Sequence, residues 1–159
     1  MELSPADRAD GRYAPDGHPE IRRWIDDWSG TPDHVDFLDF HTTAGQWLAF
    51  SRLLRPEFVP VRGCVIWERA YNPRVFDEWF RHLDGDVVGV EAVLNRFVTG
   101  DHVTVDDTPE GDTVLREVAG TVAMCWDAAL RNAFPRQEFA VRVQDTDDGP
   151  VAGFTSIPG

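Results

Sequence analysis

The chain has 159 residues, with 28 Asp and Glu against 15 basic side chains and a formal net charge of −13. That length holds one domain with a proper core and is short for two, and so negative a surface repels nucleic-acid phosphate and anionic membrane. Every basic residue is arginine; the sequence contains no lysine, which excludes Schiff-base chemistry, a Walker-type phosphate lysine and a lysine general base.

Residues 1–17 are rich in Asp, Arg, Ala, Pro and Gly with scattered apolar side chains, a composition that buries too little surface to offset ordering. A flexible leader is expected there, followed by a single globular α+β domain over 18–159. No charged amino-terminal segment leads into an apolar core, and no apolar stretch reaches the roughly 18 residues of a membrane span, so a cytoplasmic location is expected. Cys64 and Cys125 sit in apolar runs and read as reduced, buried thiols.

Ile21, Trp24, Ile25 and Trp28 recur at helical spacing and stop at Gly30, giving an amphipathic helix expected to pack on its own domain rather than on another molecule. From Pro32 to Leu54 the pattern suggests one helix, kinked near Thr43, whose second half places Ala44, Trp47, Leu48, Ser51 and Leu54 on one face before Pro56 ends it. Glu57 to Asn72 reads as the central strand. Val65, Trp67 and Tyr71 point one way and Cys64, Ile66 and Ala70 the other, so both faces are apolar and both should be covered.

Asn72 and Pro73 mark the start of a helix carrying Val75, Phe76, Trp79, Phe80 and Leu83. After the break at Asp84-Gly85-Asp86, a further helix places Val90, Leu94, Phe97 and Val98 on one face, with a strand as the alternative for its first five residues. Val103 and Val105 alternate with polar neighbours as a short edge strand. Thr108 and Pro109 precede a long helix from about 110 to 133. Phe139, Val141 and Val143, a loose turn at Asp147-Asp148-Gly149-Pro150, and Val151, Phe154 and Ile157 form a carboxy-terminal hairpin. The expected fold is therefore α+β, a sheet of about four strands around a central strand near residues 58–71, covered by several helices.

No nucleophile motif, phosphate-cradling loop or metal-ligand spacing is present. His34 and His41 stand two helical turns apart, roughly 10 Å along an axis, too far to share an ion with the nearby Asp33, Asp36 and Asp39. No metal or cofactor is expected. The polar residues best placed for a pocket, at the end of the central strand and on the helix after it, are Glu68, Arg69, Tyr71, Glu91 and Asn95.

The composition points to a small acidic interaction protein with a basic protein partner, met by carboxylates on helix faces and at Asp145, Asp147 and Asp148. Antitoxin-type immunity proteins share this compact, acidic profile, a likeness of composition and not of motif. The alternative is a small-ligand-binding or enzymatic domain using the polar residues at the strand end.

Overall fold

A computed structural model describes residues 12–159. Within them the fold is α+β, with six α-helices and two small antiparallel sheets of two and three strands. Two compact units divide the chain, Met1–Phe50 and Ser51–Gly159, so the domain expected over 18–159 takes in parts of both. Residues 1–11 of the expected leader lie outside the described residues. Its remainder includes a 3-10 turn, Pro15–Gly17, preceded by the buried Ala14.

The first unit is helical in its described residues. α1 (Pro19–Asp26) begins on a first-turn proline, whose missing N–H costs nothing there. α2 (His34–His41) begins two residues later than the sequence suggested, because Asp33 caps it. The Asp33 carboxylate accepts the N–H groups of Val35 and Asp36, while Asp36 Oδ2 accepts the Asp33 N–H at 2.9 Å.

The single helix expected over Pro32 to Leu54 is two helices. Thr42 is extended, with φ −123° and ψ 140°, and its hydroxyl donates to the Leu38 carbonyl. Thr43 then starts α3 (Ala44–Leu54): its Oγ1 accepts the Gln46 N–H at 3.2 Å, and Gln46 Oε1 accepts the Thr43 N–H at 2.7 Å. Two threonine hydroxyls that bond locally thus end one helix and begin the next.

In the second unit, the strand expected over residues 58–71 is instead a hairpin and a short helix. β1 (Phe58–Val61) and β2 (Cys64–Trp67) pair antiparallel, with Val61 opposite Cys64, so Arg62 and Gly63 form a two-residue turn. Both have positive φ, 47° and 82°, the backbone that this kind of turn requires. Arg62 is held there by tertiary contacts. Its guanidinium pairs with Asp77 at 3.0 Å and lies 5.3 Å from the Phe80 ring centroid. After β2 the chain turns into a 3-10 segment, Glu68–Ala70.

β2 is buried at all four positions, and its two apolar faces meet two clusters, as the alternation predicts for Cys64 to Trp67; Tyr71, expected on the Val65 side, packs instead with the Cys64 cluster because the 3-10 segment breaks the strand's alternation. Val65 and Trp67 pack with Phe97, Trp126, Leu130, Ala152 and Phe154. Cys64 and Ile66 pack with Phe76 and Val90. The second cluster is closed by α4 (Pro73–His82), capped by Asn72, and by α5 (Val87–Leu94).

Chain direction changes after α5. Phe97 and Val98 belong to β3 (Arg96–Val98) rather than to a longer helix. Where a strand was expected at Val103 and Val105 there is only a 3-10 turn, Thr99–Asp101, and irregular chain. α6 (Pro109–Ala133), capped by Thr108, buries Ala119, Val122, Trp126 and Leu130 against the second sheet. The Trp126 indole N–H donates to the Leu53 carbonyl at 2.8 Å, satisfying a carbonyl at the end of α3.

β4 (Phe139–Thr146) and β5 (Gly149–Ser156) form the carboxy-terminal hairpin. Its turn is tighter than the sequence suggested, with Thr146 opposite Gly149 and only Asp147 and Asp148 between them. β5 is the middle strand of the order β3-β5-β4. Arg96 and Arg142 both face Gly153 in register. A Cβ at position 153 would stand 2.7 Å from the Asn95 carbonyl oxygen, so glycine is needed for that close approach.

Candidate functional site

The five polar residues singled out from the sequence separate into two groups. Glu91 and Asn95, one helical turn apart at the end of α5, are fully buried at 0% and 1% exposure. Glu91 accepts the Val65 N–H at 2.8 Å, the Ser156 N–H, and the Ser156 hydroxyl at 2.8 Å. Asn95 accepts the Trp67 N–H at 2.9 Å and donates Nδ2 to the carbonyls of Val65, at 2.8 Å, and Phe154, at 3.4 Å.

Val65 and Trp67 lie on the edge of β2 that carries no strand partner. Two side chains from α5 therefore replace a missing ladder and join β2 to β5. Buried backbone groups must find partners, and among the described residues no buried side-chain polar atom lacks one.

The other three are at or near the surface. Glu68 shares Arg52 with Glu57, each carboxylate 2.6 Å from a guanidinium nitrogen. The Arg52 hydrogen bond, with its positive charge, holds the Glu57 carboxyl below the usual range. Arg69 lies 5.9 Å from the Trp67 ring centroid, and half-buried Tyr71 packs near Phe76, ring centroids 6.0 Å apart. Glu68 is occupied by Arg52, and Glu91 by backbone and Ser156. No direct contact joins the two carboxylates.

Cys64 is buried and Cys125 partly so, both as free thiols. Burial, then the charges of Glu91 and Asp86, push the Cys64 thiol up to about 11. Among the described residues no group of three His, Cys, Asp or Glu side chains could hold a metal, and no helix is long and apolar enough to cross a membrane. His41 donates Nδ1 to the Phe37 carbonyl at 2.7 Å and stacks on the Phe37 ring at 3.9 Å. His34 meets Asp16 at 3.2 Å.

A second candidate lies in the first unit. Trp24 sits between the helices, its ring centroid 5.6 Å from Phe37 and 5.7 Å from Phe40. Trp28 and Phe40 complete this cluster at 4.8 Å from each other, yet they remain 45% and 62% exposed. Val35 on α2 and Trp47, Leu48 and Phe50 on α3 are exposed as well.

Six of the nine large apolar side chains exposed among the described residues thus fall in the short span from Trp28 to Phe50. Monomeric surfaces expose apolar residues singly, and a concentration of this kind marks an interaction face. The same span carries an unbalanced charge: from Trp28 to Phe50 there are three carboxylates, Asp33, Asp36 and Asp39, and no arginine, while Arg22, Arg23, Asp26 and Asp27 precede it.

Apolar spacing alone could not reveal this face, since Trp28 reads as a core residue until the helix opposite it is known. The signal available in the sequence was the run without cations. No described protein family, curated protein or solved structure matches this chain.

Proposed function

We propose that the protein is an interaction protein that binds a basic protein partner. The observation that carries this reading is the surface from Trp28 to Phe50, where exposed aromatic and aliphatic side chains stand among three carboxylates, Asp33, Asp36 and Asp39, with no arginine or lysine between them and Asp26 and Asp27 just before. Apolar side chains supply the affinity of such an interface, and an acidic surround supplies selectivity for a positive surface and faster encounter. In the second unit, Asp147 and Asp148 at the β4–β5 turn are exposed carboxylates as well. Asp145 is already paired with Arg116 at 2.9 Å. An immunity role, covering a basic catalytic surface, is one form of this reading.

The test is capture from source cells on the immobilised full chain, followed by elution with salt. A basic protein eluted at raised salt supports the proposal.

One observation favours a second reading, a small-ligand-binding or enzymatic domain. A cavity of about 570 Å³ is lined by Gly63, Val87, Arg136, Gln137 and Ser156, and the Ser156 hydroxyl on its wall donates to Glu91. Capture of small metabolites alone, or turnover of a substrate by the purified chain, would favour that reading, with Arg136 and Gln137 on the cavity wall as the residues to replace.

A further inference from the structure

Building on the reading of a basic protein partner, we infer that the docking face is the aromatic surface of α1 and α2 and that its occupant is a basic amphipathic helix of the partner. Three arguments support this choice.

The first is the pattern on α2. Asp36 and Phe40 stand one turn apart on one face, and Val35 and Asp39 one turn apart on its neighbour. All four are exposed. Trp28 extends the apolar part through its contact with Phe40 and follows directly on Asp26 and Asp27. An occupant must therefore present apolar groups and cations at similar spacing, as a helix with an apolar stripe flanked by arginine or lysine does.

The second is the backbone. The described residues of the first unit contain no strand, so an added strand would find no ladder, and its N–H and C=O groups would be left without partners. A helix satisfies its own backbone and brings only side chains to the contact.

The third is charge. From Pro19 to His41 the chain carries six carboxylates against two arginines, Arg22 and Arg23, so a second copy would bring together two surfaces of net negative charge, which opposes association. Nucleic acid and anionic membrane are disfavoured in the same way.

The experiment uses the full chain and two synthetic peptides of about 14 residues, roughly four turns, built from leucine and lysine. One places leucine on a helical stripe, and the other has the same composition shuffled so that no stripe forms. Binding is followed by the chain's tryptophan fluorescence, since neither peptide contains tryptophan. The striped peptide should bind at least about tenfold more tightly than the shuffled one, and Phe40→Ser should remove most of that difference. The double variant Asp36→Asn, Asp39→Asn should weaken binding more at low salt than at high salt.

Because Phe40 also packs on Trp24 and Trp28 and Asp36 accepts the Asp33 N–H in the cap of α2, each variant's far-ultraviolet circular dichroism is compared with that of the native chain before binding is read, and Asp39→Asn alone, outside the cap, repeats the salt comparison. Equal affinity for the two peptides at low salt would overturn the inference and leave the basic-partner reading standing. Absence of binding by either peptide at low salt would overturn both. A dimer in sedimentation that Phe40→Ser dissolves would overturn the inference in favour of a second copy.

Discussion

Asn95 does for Trp67 what a neighbouring strand would otherwise do: its Oδ1 accepts the Trp67 N–H at 2.9 Å inside the core, where no water can substitute. With Glu91 one turn earlier, it joins two sheets that share no ladder between β2 and β5. The consequence is a fold whose core depends on two polar side chains from one short helix.

Replacing Asn95 by Leu keeps the volume and removes every polar partner, leaving the Trp67 N–H and the Val65 carbonyl buried and unpaired. The expected loss is about 2 to 4 kcal/mol, the cost of desolvated backbone groups without partners. Glu91→Gln should also destabilise, by about 1 to 3 kcal/mol, because one end of the amide is a donor while Glu91 now accepts only from N–H and O–H groups. Urea denaturation of each variant checks this, and an unchanged midpoint for Asn95→Leu would rule out the bridging role.

Gly153→Ala tests the close approach of β5 to the end of α5. Its Cβ would stand 2.7 Å from the Asn95 carbonyl oxygen, which is backbone and cannot swing aside. A loss of about 1 to 3 kcal/mol is expected, in the range of overpacking in a rigid core. Thermal unfolding beside Gly149→Ala, where nothing lies within 4 Å but φ is +92°, separates steric from conformational cost.

Cys64 predicts a stability change at alkaline pH. Burial, Glu91 and Asp86 raise its thiol to about 11 in the folded chain, above the roughly 8.5 of an exposed thiol. The folded state therefore holds the proton more firmly than the unfolded state. The stabilisation is complete below the unfolded value and is lost as pH rises from about 8.5 towards 11. Unfolding midpoints between neutral pH and pH values in that window should fall more for the native chain than for Cys64→Ala. The buried thiol should also react with a thiol reagent far more slowly than Cys125.

Trp24 predicts the behaviour of the first unit. It contacts Trp28, Phe37, Phe40 and His41 at ring-centroid distances of 5.2 to 6.0 Å, so Trp24→Ala removes the contact common to α1 and α2. Amide exchange over His34–His41 should rise by tenfold or more, since an eight-residue helix is not stable alone. Unchanged protection there would mean that the Asp33 capping box and not the aromatic cluster holds α2.

Much of the second unit was legible because burial and periodicity agree. Val65 and Trp67 against Cys64 and Ile66, Asn72-Pro73 before α4, and Thr108-Pro109 before α6 each state their structure locally. The β1–β2 turn was not, because Arg62 is a poor turn residue held in a left-handed conformation by Asp77 and Phe80, partners that only the fold supplies.

For the candidate residues, sequence could place Glu91 and Asn95 on one helical face but could not tell a carboxylate that accepts from buried backbone from one that awaits a ligand. Trp28 posed the reverse difficulty. Its apolar character suggests core, and only the orientation of α2 against α1 leaves it at the surface.

The central claim, a basic partner drawn to this acidic surface, is tested most directly by the association rate of the captured partner with the full chain at two ionic strengths, about 0.02 M and 0.15 M. Charge beyond about 8 Å is screened at the higher value, so the account predicts a fall in association rate of about tenfold or more, with a smaller change in dissociation. An association rate that stays the same at both ionic strengths would contradict it.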